Sequence, residues 1–156
     1  MGSQSDYSIM ENCLKMLDKF DIPYEIKVLS AHRMPDFTLK YAKSLRERGI
    51  KVVIAGAGGA AHLAGAIAAN TTLPVIAVPL NSSPLQGVDA LYSTVQMPAG
   101  VPVACMAIGA AGAKNAAILA IQILSLSSPK IENKIKRYKD ELAKGKSQIK
   151  GGILYA

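Results

Sequence analysis

The chain has 156 residues, half of them hydrophobic and 19% charged, which fits one domain with a buried core and excludes both two full domains and intrinsic disorder. Only 5% are aromatic and Trp is absent, so Ala, Ile, Val and Gly carry the apolar half, as in a layered α/β protein or beside a closely held ligand. The net charge of +7 is local: residues 130–150 hold eight Lys/Arg against three acids, with Tyr138 the only aromatic among them, so it reads as a solvated helix face and not a nucleic-acid footprint.

In chain order, Ser5–Phe20 predicts a helix with Ile9, Cys13, Leu14, Leu17 and Phe20 on one face and a capping box at Ser8–Glu11. Tyr24–Leu29 alternates as a strand. Pro35 starts a helix that Gly49 stops. Lys51–Ala55 predicts a buried strand, followed by glycines and a small-residue helix over 60–70. Pro74–Pro79 predicts another strand, Leu85–Met97 a short helix, Val101–Ala107 a last strand and Gly112–Leu126 a helix. Pro129 to Lys146 predicts an amphipathic helix with Ile131, Ile135, Tyr138 and Leu142 on one stripe, and Gly151–Ala156 a frayed or docked end. The whole of residues 1–156 reads as one domain, its basic helix and tail occupying 129–156.

Cys13 and Cys105 lie in apolar runs and read as small buried hydrophobes, without zinc or CxxC spacing. The polar opening Met1–Asp6 has no targeting character. Val52–Ala69 and Val101–Leu126 approach membrane-spanning length, but His62 and four glycines interrupt the first, and Lys114, Asn115 and Gln122 the second. Both read as buried strand–turn–helix units, and the protein as soluble and cytoplasmic, without membrane or nucleic-acid partners.

Alternating strands and helices imply a parallel sheet covered on both faces, with ligands bound beyond the carboxyl ends of its strands. The loops there carry the candidates. Gly2-Ser3-Gln4-Ser5-Asp6 opens a helix, where free N–H groups favour a phosphate and Asp6 suits a ribose hydroxyl; N-capping by Ser3 or Ser5 explains the same residues. Ser30-Ala31-His32-Arg33 places a hydroxyl, a group that titrates near neutrality and a fixed cation together; a structural loop histidine is the competing reading. Gly56–Ala61 matches G-x-G-x-x-A, but no Asp or Glu occurs between Glu47 and Asp89 to hold a dinucleotide ribose. A glycine turn close to some other polar ligand is preferred, with His62 and Leu63 behind it. The long polar loop 79–89 reads as a lid or a subunit contact.

Gly-Ser-x-Ser-Asp at 2–6, Ser-Ala-His-Arg at 30–33, Ala-Gly-Ala-Gly-Gly-Ala-Ala-His-Leu at 55–63 and Gly-Val-Asp-Ala-Leu-Tyr-Ser-Thr-Val-Gln-Met-Pro at 87–98 occur in that order. Together, over residues 1 to about 126, they resemble the class I N5-carboxyaminoimidazole ribonucleotide mutase family of purine biosynthesis. Arg33 and the Gly56–Leu63 run separate the chain from the related class II carboxylases, which carry Lys after the histidine. Met34, Ala64 and Ala90 depart from the family's frequent Thr, Pro and Ser, and none of the three removes a titratable group.

The resemblance implies a flavodoxin-like three-layer α/β sandwich with a parallel sheet and a homo-octamer. It implies a carboxylate moving from the exocyclic nitrogen of an aminoimidazole ribonucleotide to ring carbon 4, without ATP, metal or organic cofactor. By the same resemblance Ser3, Ser5, Asp6, Ser30 and Arg33 hold the ribose phosphate. Gly58, Gly59, Ala60, His62 and Leu63, with loop 79–89, enclose the base and the migrating carboxylate, and His32 is the catalytic proton shuttle. His62 is ranked as a loop-orienting or substrate-contact residue. The small-residue helices 60–70 and 112–126 are expected to suit subunit packing. Met1-Gly2-Ser3 aligns with the end of the family's first, central strand, so the expectation is a chain missing that strand, at a cost of about 1.5–3 kcal/mol for each apolar side chain no longer buried. Two other readings stand beside this one: a class II-type carboxylase using CO2, and a non-catalytic nucleotide- or flavin-binding module.

Overall fold

The computed structural model describes residues 1–145. A 3-10 turn at Gln4–Asp6 leads into α1 (Tyr7–Lys19), α2 (Pro35–Ser44), β1 (Val53–Gly58), α3 (Leu63–Ala68), β2 (Val75–Leu80), α4 (Val88–Val95), β3 (Ala104–Cys105), α5 (Gly109–Ser125) and α6 (Pro129–Ala143). The strands form one parallel sheet in the order β1-β2-β3, with Val53 opposite Val75 and Ile76 opposite Ala104.

The alternation of β2 makes the layers. Its six residues are all buried, because successive side chains point to opposite faces and both faces are covered. Ile76, Val78 and Leu80 join α1, α5 and Ile135 of α6 in one core cluster. Val75 and Ala77, with Val53, Ala55 and Ala57 of β1, join α2, α3 and Ala90 of α4 in the other. The result is the expected three-layer α/β arrangement. Pro35 sits in the first turn of α2, where its missing N–H breaks no helix bond. Alanines 113, 116, 117 and 120 of α5 are buried within this one chain, so this face of the helix packs inside the protomer. The apolar groups left outside lie elsewhere: Val88, Tyr92 and Val95 form an exposed stripe along α4.

Several boundaries differ from the sequence reading, each for a local reason. The capping box forms one turn earlier than Ser8–Glu11. Ser3 accepts from the Ser5 N–H, and Asp6 Oδ2 accepts from the Ser3 N–H at 2.9 Å. The last strand shrinks to Ala104–Cys105, because Pro102 cannot donate to a ladder. Tyr24–Leu29 runs outside the sheet, without strand pairing. Its backbone pairs only with Met1, which donates to Lys27 O at 2.9 Å and accepts from the Leu29 N–H at 2.9 Å, while the Gly2 N–H donates to Gly56 O at 3.1 Å on β1. Beyond that two-residue bridge, a cavity of about 650 Å3 separates residues 22–29 from β1, lined by Met10, Leu17, Ile26, Ile54, Ile67 and Leu124 among others. A strand needs a ladder of partners, and here the cavity takes their place.

The basic helix α6 is anchored by Ile135, by the edge-on contact of Tyr138 with Phe20 (ring centroids 5.4 Å apart), and by Lys134, which donates to Phe20 O at 2.9 Å and pairs with Asp21 at 2.7 Å. Lys136, Arg137 and Lys139 stay in solvent, as a solvated face requires. Cys13 is buried, Cys105 half-buried, and both are free thiols. No helix among the described residues is long and apolar enough to cross a membrane. The readings for Lys146 and for Gly151–Ala156 fall outside the described residues.

Candidate active site

A second cavity of about 370 Å3 opens at the carboxyl end of β1. Three segments build it. The first is the bridge and 3-10 turn at residues 2–6, held over β1 by the Gly2–Gly56 hydrogen bond. The second is the turn at residues 30–33, closed by the Met34 N–H donating to Ser30 O at 2.8 Å. The third is the turn between β1 and α3, closed by the Ala61 N–H donating to Gly58 O at 3.1 Å. Ala61 takes φ +47° to make that bend, a conformation non-glycine residues adopt at a cost and one that recurs at functional sites. The bend sets His62 at the N-cap of α3.

One wall is rich in donors. Ser5 Oγ donates to Ser3 Oγ at 2.9 Å. Arg33 donates from its backbone N and from Nε to Ser30 Oγ at 3.2 and 3.3 Å, and from Nη2 to Gly2 O at 3.4 Å. The guanidinium is thus held at the cleft and ties the 30–33 turn to the Gly2 bridge. Its partners are neutral oxygens, so its charge remains available to an anion. Asp6, 4% exposed, lies behind the hydroxyls. Burial pushes its carboxyl above the ordinary carboxylate value, opposed by the Ser3 N–H, the chain's amino group, the Gly2 N–H and Arg33. The amino group of Met1 is lowered in turn, chiefly by burial.

The same cleft holds two imidazoles in direct contact. His32 Nε2 and His62 Nδ1 are 2.5 Å apart, with ring centroids 4.7 Å apart and planes at 82°. These are the only histidines of the chain, brought together from positions thirty residues apart. Ala57, Gly58, Ala61 and Leu63 supply the cleft with an apolar lining.

The cleft therefore gathers Ser3, Ser5, Asp6, Ser30, His32, Arg33, Gly58, His62 and Leu63, as read from the sequence. Gly59 and Ala60 do not line it: they form the outer corner of the turn, Gly59 with φ +59° and Ala60 exposed. The long 79–89 loop contributes Ser82 alone. Its remainder is tied to itself, Ser83 Oγ donating to Asp89 Oδ1 at 2.9 Å and Gly87 turning with φ +88°. Ser82 was not singled out by sequence, although its position two residues past β2 was the available signal. It also explains Gly58: a Cβ there would lie 1.8 Å from Ser82 Oγ. Hence the glycine makes room for a side chain of the neighbouring loop, which is not what a dinucleotide fingerprint requires. Among the described residues, no three His, Cys, Asp or Glu side chains gather as a metal site.

The chain is similar to several known proteins. Residues 1–145 match the AIR carboxylase family. The chain is 58% identical over 135 residues to the N5-carboxyaminoimidazole ribonucleotide mutase of Bacillus subtilis, covering 86% of this chain and 83% of that protein. It is 53% identical over 142 residues to the mutase of Pyrococcus abyssi, covering 91% and 80%. Among solved structures, Treponema denticola PurE superposes with a TM-score of 0.81 at 31% identity, covering 92% of this chain and 89% of that one.

Proposed function

This chain belongs to the AIR carboxylase family, and from that premise we propose that it interconverts N5-carboxyaminoimidazole ribonucleotide and 4-carboxy-5-aminoimidazole ribonucleotide in purine biosynthesis, as an isomerase. The observation that carries the reading is the gathering of Arg33, the serine hydroxyls and two imidazoles in one small cleft.

Each half of the reaction needs what these groups offer. A ribose phosphate is a dianion, and Arg33 with the Ser3, Ser5 and Ser30 hydroxyls provides donors at fixed positions. The heterocycle then lies toward the histidines. Breaking the exocyclic N–C bond leaves its electron pair on nitrogen, where a proton must land, and CO2 departs. Forming the C4–C bond requires the C4 proton to leave, its electron pair returning to the ring. The same group can do both, giving a proton first and taking one back. His32 is the group of suitable chemistry at the cleft. CO2 must stay in place between the steps, and Ala57, Gly58, Ala61 and Leu63 form an apolar wall for it. By this reading Gly59 and Ala60 shape the turn and touch no substrate. The expected assembly is a homo-octamer, and the exposed Val88–Tyr92–Val95 stripe of α4 is the face proposed to carry subunit contacts.

Purified protein is to be assayed with the N-carboxylated ribonucleotide, and separately with the decarboxylated ribonucleotide plus bicarbonate. Turnover of the first at low bicarbonate supports the mutase reading. Turnover of the second alone would make the protein a CO2-using carboxylase, and turnover of neither would leave a binding module.

A further inference from the structure

We propose that Ser82 is a specificity-determining residue of the cleft: its hydroxyl donates a hydrogen bond to the substrate's carboxylate and so separates carboxylated from decarboxylated nucleotide. The inference rests on the mutase reading for the identity of the ligand, and goes beyond it in assigning a side chain to the migrating group.

Ser82 is the single residue that the loop after β2 contributes to the cleft, and local devices hold it there. Gln86 takes φ +54° and Gly87 φ +88°, and the Gln86 N–H donates to Ser83 O at 3.0 Å. Ser83 Oγ donates to Asp89 Oδ1 at 2.9 Å, which ties the loop to α4. A Cβ at Gly87 would lie 2.7 Å from Ile108 Cγ2 and 3.2 Å from Leu80 O, so this turn is packed down on its neighbours. A non-glycine residue in the left-handed region costs free energy and persists where its surroundings over-determine it. On the other side Gly58 carries no side chain, and Ser82 Oγ occupies the space that a Cβ would need. Two segments are thus shaped so that this hydroxyl stands at the carboxyl end of β1.

The hydroxyl is also uncommitted. Ser5 bonds Ser3, Arg33 bonds Ser30, Asp6 takes the Ser3 N–H and His32 meets His62. Among the described residues, Ser82 is the one hydroxyl-bearing or ionisable side chain of the cleft without a hydrogen-bond partner. The substrate brings two anionic groups, a phosphate and a carboxylate. Arg33 and its serines are gathered about the Gly2 bridge, to whose carbonyl Arg33 donates, and they suit the phosphate. Ser82 enters from a different segment, beside the glycine that opens the β1–α3 turn. A neutral donor is the right chemistry for the carboxylate. It holds the anion by a hydrogen bond, whereas a fixed cation would stabilise the carboxylate in the ground state and oppose its loss as neutral CO2. The decarboxylated nucleotide offers no acceptor at that point.

Binding calorimetry on the wild type and Ser82→Ala tests this without turnover, the probes being the C4-carboxylated and the decarboxylated ribonucleotides. Ser82→Ala should weaken the first by about 10–100-fold, as expected for a hydrogen bond to a charged group, and leave the second within about twofold. Using two nucleotides on one variant removes general damage to the fold from the result. Equal losses for both, or no loss for either, would overturn the proposal. Gly58→Ala gives an independent check, because its Cβ displaces Ser82 Oγ. It should lose the same preference, and Ser82→Ala added to it should weaken the carboxylated nucleotide no further. Full additivity of the two substitutions would contradict the contact. Failure of the wild type to bind either nucleotide would overturn the mutase reading, and this inference with it.

Discussion

Two cavities share β1 as a wall, and they differ in the opposite sense to their size. The larger, about 650 Å3, lies along the amino-terminal half of the strand under Val53, Ile54 and Ala55. Among its polar members, Glu25 is tied to Tyr41 and Arg48. The smaller, about 370 Å3, lies at the carboxyl end beyond Ala57 and Gly58 and gathers two histidines, an arginine, a carboxylate and four serines. Met1 lines the first and Gly2 the second, so one peptide unit divides them. Volume alone would favour the larger. What marks the smaller as the candidate site is polar groups converging from separate segments at the carboxyl edge of a parallel sheet.

Substitutions on the two sides should therefore separate chemistry from stability. The largest effect is expected from His32→Asn, which should lower turnover by about 10²–10⁴ while nucleotide affinity, measured by calorimetry, changes only a few-fold. Turnover close to wild type would remove His32 from the reaction. Arg33→Ala should come next, raising KM by about 10–100-fold through loss of a charge-assisted contact worth about 1.5–3 kcal/mol, with kcat less affected; steady-state kinetics check the split.

On the other side the readout is thermal or denaturant unfolding, with KM unchanged. Ile76→Ala, at a fully buried site in the α1–α5 core, should cost about 2–5 kcal/mol. Ile26→Ala should cost about 1 kcal/mol or less, because Ile26 is 41% exposed and faces the open cavity. Equal costs at the two positions would show that the cavity wall is packed as tightly as the core.

The smallest effect concerns pH. The Tyr41 hydroxyl and then Arg48 hold the Glu25 carboxyl below its ordinary value, opposed by partial desolvation. A depressed carboxylate contributes stability above its unfolded value, near 4.3, and loses it as pH falls through the folded one. Glu25→Gln should therefore shallow the fall in Tm between pH 5 and pH 3, and an unchanged acid limb would deny the pair any role.

Much of this was legible in the residues. Short apolar runs located β1 and β2, a proline located the start of α2, and the ordered motifs located three of the cleft's segments. What the sequence could not supply was contact between segments. Nothing local distinguishes Ser82 from its neighbours or says that Gly58 must make room for it. The alternation of Tyr24–Leu29 is a strand signal, yet pairing depends on what lies beside it, and only Met1 does. Likewise His32 and His62 each look like a lone loop histidine until the turn at Ala61 brings their nitrogens together.

The central claim is that the carboxylate moves within one closed cleft. Its most direct test follows carbon-13 in the N-carboxyl group through a single conversion in excess unlabelled bicarbonate. The account predicts that the C4 carboxylate of the product retains the label and that His32→Asn forms product about 10²–10⁴-fold more slowly. Unlabelled product from the wild-type protein would show that the CO2 comes from solution and would contradict it.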